Sequence, residues 1–105
     1  MAREDIVFGN LQLFNLEKFI RWESPPTGWV ILNTNGASKG NRGPASGGGL
    51  LRDYKGKMMK GFMEKFGIYT SPKAELMALR RGLPIAKELN IKQLILLVDS
   101  QLVVQ

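Results

Sequence analysis

The stretch that decides the fold is residues 29–41, which read WVILNTNGASKGN. Residues 29–34 are mostly apolar and β-branched, and a glycine-rich segment follows at 36–44. This pattern is typical of a strand that ends in a turn. Asn35 stands at the junction of the two. The surrounding sequence favours an aspartate at this position, so the amide is the first unusual feature of the chain.

Outward from this stretch, alternating and turn-forming residues predict a three-strand antiparallel meander. The predicted strands cover residues 29–34, 46–52 and 58–66. The segment DYKGK at 53–57 predicts a hairpin turn with its glycine at a late position. Short connections of this kind join strands that are neighbours in a sheet.

A helix and a further strand are predicted after the meander. Ser71 is the expected N-cap and Pro72 the expected first helical residue. Pro84 predicts a kink or an early end to this helix, because proline removes a backbone donor. The apolar run 93–99 predicts a strand that is covered on both faces and lies parallel beside the first strand. The order of elements predicts an α/β fold.

The first 28 residues have a different pattern. Apolar residues at mixed spacing are followed by SPPTG at 24–28, which breaks the chain. We therefore predict an N-terminal extension and linker at 1–28 and a single folded domain at 29–105. The extension is either a short helix packed on the domain or the remnant of a longer upstream protein, and we favour the second interpretation.

Composition limits the classes of partner and of chemistry. The 105 residues carry a net charge of +6, which favours polyanionic partners and nucleic acid first among them. The sequence contains no cysteine and no histidine, which excludes disulfide scaffolds, zinc fingers, thiol catalysis and serine–histidine triads within these residues. Oxygen ligands would instead hold Mg²⁺ or Mn²⁺. No apolar run is long enough to span a bilayer and no secretory signal is recognisable, so we expect an intracellular protein without a membrane partner.

Four blocks of sequence carry a resemblance to a known family. They are residues 29–41, 47–53 (GGGLLRD), 73–79 (KAELMAL) and 97–100 (LVDS). Their order, spacing and context resemble the ribonuclease H-like domain of plant proteins and retrotransposons. The resemblance covers residues 29–105.

The resemblance implies a three-layer fold with a mixed five-stranded sheet, and metal-dependent cleavage of the RNA strand of RNA–DNA hybrids. Clustered carboxylates would hold two Mg²⁺ ions for that chemistry. Glu75 and Asp99 match the second and third acidic ligands of the family, and Asn35 falls on the first. An amide offers one partially charged oxygen and an NH₂ group that repels cations, so we expect weak metal binding at best.

The resemblance also implies a nucleic-acid-binding loop and a shortened fold. The loop residues expected to meet an RNA–DNA hybrid, or RNA, are Ser38, Lys39, Gly40, Asn41 and Arg42. The last strand, terminal helix and next acidic ligand of the family would lie beyond Gln105. Truncation would leave the predicted strand at 93–99 as an exposed apolar edge, open to self-association.

Three functions follow as hypotheses. The first is a ribonuclease H-like nucleic-acid-binding protein whose catalytic site is degenerate at Asn35. The second is an active Mg²⁺-dependent RNA–DNA hybrid endoribonuclease that tolerates this amide. The third is a truncated retrotransposon-derived remnant that interacts only with proteins or has no role.

Overall fold

A computed structural model describes residues 10–15 and 26–98 and gives a mixed five-stranded sheet with one long helix. The elements are β1 (Asn10–Asn15), β2 (Val30–Ser38), a short 3₁₀ helix (Lys39–Asn41), β3 (Gly43–Arg52), β4 (Met58–Tyr69), α1 (Ser71–Glu88) and β5 (Gln93–Val98). The strand order is β1-β5-β2-β3-β4. Strands β2, β3 and β4 pair antiparallel, while β5 is parallel to both β1 and β2.

The predicted meander is confirmed, although its strands are longer than expected. Strand β2 continues to Ser38, which places Gly36 inside the strand and reduces the glycine-rich loop to residues 39–42. The hairpin between β3 and β4 is closed by Asp53, whose Oδ1 accepts hydrogen bonds from the backbone N–H groups of Lys55 and Lys57, each at 2.9 Å. Gly56 has a φ of 86°, which explains the glycine at this position.

Helix α1 begins one residue earlier than predicted. Thr70, not Ser71, is the N-cap, and its side-chain oxygen accepts a hydrogen bond of 3.3 Å from the backbone N–H of Lys73. Ser71 is therefore the first helical residue and Pro72 the second. Either hydroxyl residue suits an N-cap, and tertiary contacts of Ser71 decide between them.

The helix does not end early at Pro84. It continues to Glu88, so the predicted early stop is wrong. Tertiary packing on both sides of the proline holds the helix together, since Gly82 and Ala86 are both buried against the sheet. Burial of this kind outweighs the low helix propensity of one residue.

The main core lies between α1 and one face of the sheet. The helix contributes small residues to it, and the buried positions are Ala74, Ala78, Gly82 and Ala86. Leu32, Leu51 and Leu94 fill the space from the sheet and are almost completely buried. Small residues on the helix let its backbone approach the sheet closely.

Strand β1 was not predicted, and it corrects one expectation. It pairs parallel with β5 from Asn10 opposite Gln93 to Asn15 opposite Val98, so β5 lies between β1 and β2. The expected exposed edge on the strand at 93–99 is therefore wrong for the described part, residues 93–98. Self-association through that edge loses its physical basis.

A second apolar cluster lies on the sheet face opposite α1. It contains Phe14 from β1, Ile31 from β2 and Ile95 from β5, all of them buried. The cluster thus links β1 to the rest of the sheet by side-chain packing as well as by backbone pairing.

The division of the chain at residues 28 and 29 stays a prediction, and the alternatives for 1–9 and 16–25 concern residues outside the described part. Among the described residues, no helix is long and apolar enough to cross a membrane.

Candidate functional site

Asn35 lies near the carboxyl end of β2, opposite Gly48 of β3, and its side chain is exposed. Because alternate residues of a strand face opposite ways, Asn35 and Asn33 lie on the face away from α1, whereas Gly36 faces the helix. The central strand of the sheet thus presents two amide side chains to solvent on the open face.

Gly36 brings the Asn35 segment against the start of α1. A Cβ atom at Gly36 would overlap the carbonyl oxygen of Ala74 and would lie 2.6 Å from the backbone nitrogen of Glu75. The backbones of β2 and α1 are therefore in direct contact at this point. This contact places Glu75, which is half-buried, beside the end of the strand that carries Asn35. The structure thus brings these two elements together, while the roles assigned to Asn35 and Glu75 stay predictions.

The glycines at 47–49 allow close packing around the Asn35 segment. A Cβ atom at Gly47 would lie 2.6 Å from the carbonyl oxygen of Asn35 and 3.1 Å from Cβ of Ala78. A shallow depression of about 400 Å³ extends over this region. Asn35, Gly48 and Met63 are among the residues that line it. The lack of side chains at the glycines leaves the sheet surface open beside Asn35.

Asp99, the third predicted site residue, directly follows β5 in the sequence and lies outside the described residues. Within residues 10–15 and 26–98, no group of three or more acidic, histidine or cysteine side chains is arranged to hold a metal ion. As possible metal ligands, Asn35 offers one neutral amide oxygen and Glu75 one carboxylate. Two divalent ions need more anionic oxygen than this pair supplies, so the described residues do not fit a two-ion centre.

The predicted binding loop is held against the start of α1. Lys39, Gly40 and Arg42 are exposed, and Gly40 has a φ of 73° in the left-handed region. Ser38 and Asn41 instead hydrogen-bond to Ser71. The structure thus brings all five predicted loop residues to one place, but it gives two of them structural partners.

Ser71 is the functional candidate that sequence reasoning missed. The sequence predicts it as a local N-cap, and no local pattern connects it with Ser38 and Asn41, which lie 33 and 30 positions earlier in the chain. The sequence shows that residues 38, 41 and 71 are polar. Only the tertiary fold shows that they meet.

Comparisons with known proteins agree with this architecture. The model of the Reverse transcriptase-like family matches residues 33–105. A protein from Arabidopsis thaliana, described as a candidate ribonuclease H protein, is 45% identical over 89 residues, which are 85% of this chain and 14% of that protein. The chain thus spans a small part of this curated relative.

Solved structures give the same result. RNase H1 from the halophilic archaeon Halobacterium salinarum NRC-1 superposes with a TM-score of 0.67 and 34% identity, over 70% of this chain and 56% of that one. LC11-RNase H1, solved in complex with an RNA/DNA hybrid, superposes with a TM-score of 0.56 and 33% identity, over 57% of this chain and 44% of that one. Since the family model matches most of its length, the chain belongs to the Reverse transcriptase-like family and has a ribonuclease H-like domain.

Proposed function

We propose that this protein binds RNA–DNA hybrids through a ribonuclease H-like domain and cleaves them weakly or not at all. The observation that carries the proposal is the amide of Asn35 at the strand end that contacts the backbone of α1 at Glu75. In the family that this chain resembles, an acidic ligand stands at this position. Beside Asn35, this chain has the contact with α1 and a loop with the exposed cations Lys39 and Arg42.

The proposed partner follows from charge and from a solved relative. The chain carries fifteen Lys and Arg residues against nine Asp and Glu residues, and Lys39 and Arg42 are exposed in the loop beside the site. Cationic side chains bind phosphate through counterion release without reading sequence. The LC11 relative was solved with an RNA/DNA hybrid bound. These observations support a hybrid, or RNA, as the nucleic acid bound here.

Metal binding is proposed to be weak. Glu75 and Asp99 are the carboxylates that would hold Mg²⁺ or Mn²⁺, since both cations prefer anionic oxygen. Asn35 contributes at most one neutral oxygen, and its NH₂ group disfavours a cation nearby. With one carboxylate fewer, these residues would hold a divalent cation less tightly. The expected consequence is retained hybrid binding with little cleavage.

The test compares the unaltered protein with Asn35→Asp in both a binding assay and a cleavage assay. We expect the unaltered protein to bind a labelled RNA–DNA hybrid and to leave it uncut in Mg²⁺. Asn35→Asp should raise the cleavage rate by about tenfold or more, because even supporting groups around a metal change activity by 10–100-fold. Full activity of the family is not expected from this one substitution.

The matched control is Asn35→Asp combined with Glu75→Gln. It keeps the new carboxylate and removes the neighbouring one, so the gained cleavage should be lost again. Robust Mg²⁺-dependent cleavage by the unaltered protein would reject the proposal in favour of an active endoribonuclease. Failure of the unaltered protein to bind hybrid or RNA would reject it in favour of a remnant without nucleic-acid function.

A further inference from the structure

Three hydrogen bonds tie the loop after β2 to the first residue of α1. The backbone N–H of Ser38 donates to Oγ of Ser71 at 3.2 Å, and the two serine hydroxyls lie 3.2 Å apart. The backbone N–H of Ser71 donates to Oδ1 of Asn41 at 2.9 Å. Ser71 therefore uses both its side chain and its backbone N–H to hold the loop.

The side-chain bond of Ser71 is not required for the helix itself. The first N–H groups of a helix need partners, and residues just before the helix normally supply them. Thr70 does so here, by accepting a hydrogen bond from Lys73. Asn41 satisfies a second N–H from a distant part of the chain, and the Ser71 hydroxyl points to Ser38. The bonds of Ser71 thus connect two segments that the chain order leaves far apart.

The loop between the two tie points has an unusual backbone. Gly40 and Asn41 have φ values of 73° and 45°, in the left-handed region. A non-glycine residue adopts this region at a cost, and asparagine tolerates it better than most residues. Residues in such conformations persist where the surrounding structure holds them. The exposed cation Lys39 lies between the tie points, and the exposed Arg42 directly follows Asn41.

We propose that Ser71 is a positioning residue that fixes the loop in the conformation which presents Lys39 and Arg42 to the nucleic-acid backbone. Asn41 contributes because its side-chain oxygen accepts the hydrogen bond from the backbone N–H of Ser71. This inference rests on the proposed hybrid binding, but the tie itself is testable without any ligand. It assigns to Ser71 an indirect role, through Ser38 and Asn41, and not a contact with nucleic acid.

The first measurement is hydrogen exchange of the Ser38 amide in the free protein. Ser71→Ala removes the acceptor of that amide, so its exchange should become faster. Ser71→Thr keeps a hydroxyl at the same position and should restore slow exchange. Thr70→Ala is the matched control, because it removes the adjacent hydroxyl and weakens the helix start without touching the loop. It should lower the melting temperature and leave the Ser38 amide protected.

The second measurement is the dissociation constant for an RNA–DNA hybrid, taken at a temperature where every variant is folded. Ser71→Ala should weaken binding about three- to tenfold, the equivalent of one net hydrogen bond. Ser71→Thr should restore the affinity, and Thr70→Ala should leave it unchanged. Asn41→Ala should also weaken binding. Its effect should be less than additive with Ser71→Ala, since both variants release the same loop.

Each contrary outcome overturns the inference in a distinct way. Unchanged exchange of the Ser38 amide in Ser71→Ala means that the tie does not exist. Faster exchange with unchanged affinity means that the loop conformation does not govern binding. Weaker binding with unchanged exchange, or full additivity with Asn41→Ala, means direct contacts in place of positioning. If the unaltered protein binds no hybrid, the proposed function fails and so does the positioning role, while the exchange data still decide whether the tie exists.

Discussion

The hydrogen atom at Gly36, in place of a side chain, lets β2 and α1 come into backbone contact. This contact brings the strand end at Asn35 next to Glu75. At Gly40, only four residues later, an added Cβ atom would have no neighbour within 4 Å. Two glycines of one short segment therefore have different physical reasons to be glycine. At Gly36 a side chain would not fit against α1. At Gly40 the φ angle lies in the left-handed region, which favours glycine.

Replacement of Gly36 by alanine should lower the free energy of unfolding by about 3 kcal/mol, because the added methyl group forces α1 away from the sheet. Chemical denaturation measures this value. Gly40→Ala is the control, with the same added methyl group in open space. It should cost about 1 kcal/mol, from the left-handed backbone alone. Equal losses for the two variants would contradict the close approach at Gly36.

The roles of single site residues stay predictions from the sequence. The amide at Asn35 and the carboxylate at Glu75 could be named from the sequence blocks around them. The contact that brings their elements together depends on Gly36 meeting Ala74, and only three-dimensional packing reveals it. The bonds of Ser71 escaped prediction for the same reason, since they join residues far apart in the chain.

At the scale of elements, β1 is a strand that the sequence pattern did not predict. Its residues, NLQLFN, do not alternate strictly between polar and apolar. Leu11 and Leu13 are about half exposed, while Phe14 is 2% exposed and packs with Ile31 and Ile95. A short strand with one buried anchor is defined by its partner more than by its own pattern. Its partner, β5, was predicted with little ambiguity.

Phe14→Ala should lower the free energy of unfolding by about 3 kcal/mol, the usual cost of emptying a buried phenylalanine site. Leu13→Ala is the matched control on the same strand, and its exposed side chain should cost less than about 1 kcal/mol. Urea unfolding followed by circular dichroism gives both values. If the two variants lose the same small amount of stability, β1 does not belong to the cooperative fold.

The boundaries of α1 illustrate how packing shifts an element that sequence predicts well. Thr70 and Ser71 are both good N-cap residues, and the choice between them depends on the bonds from Ser71 to the loop. Pro84 should have stopped an isolated helix, but Gly82 and Ala86 on either side of it are buried against the sheet. Local rules predicted that the helix exists, and tertiary contacts set its ends.

At the scale of the whole molecule, net charge and local charge make different predictions for binding. A net charge of +6 attracts any polyanion, whereas the proposed interface uses particular cations beside α1. Salt screens charges beyond about 8 Å at physiological ionic strength. Cations at the far end of α1 should therefore contribute little to a hybrid bound at the loop.

The slope of log affinity against log salt concentration distinguishes binding by net charge from binding by the cations of the loop. Lys39→Gln or Arg42→Gln should reduce the magnitude of the slope by about one, the value for one lost phosphate contact. Lys87→Gln removes the same charge near the other end of α1, roughly 24 Å away at 1.5 Å per residue, and should leave the slope unchanged. An equal change in all three variants would show that net charge alone drives binding.

The pairing of β1 with β5 has a consequence for synthesis on the ribosome. The partners Asn10 and Gln93 are roughly 80 positions apart, so closing the loop between them carries a large entropic cost. At about 5–20 residues per second, the first strand is made several seconds before its partner. Through that interval the meander and α1 can form, while β1 has no β5 to pair with. Among the described strands, β1 is thus translated well before its pairing partner, and its apolar side chains stay unpaired until β5 has been made.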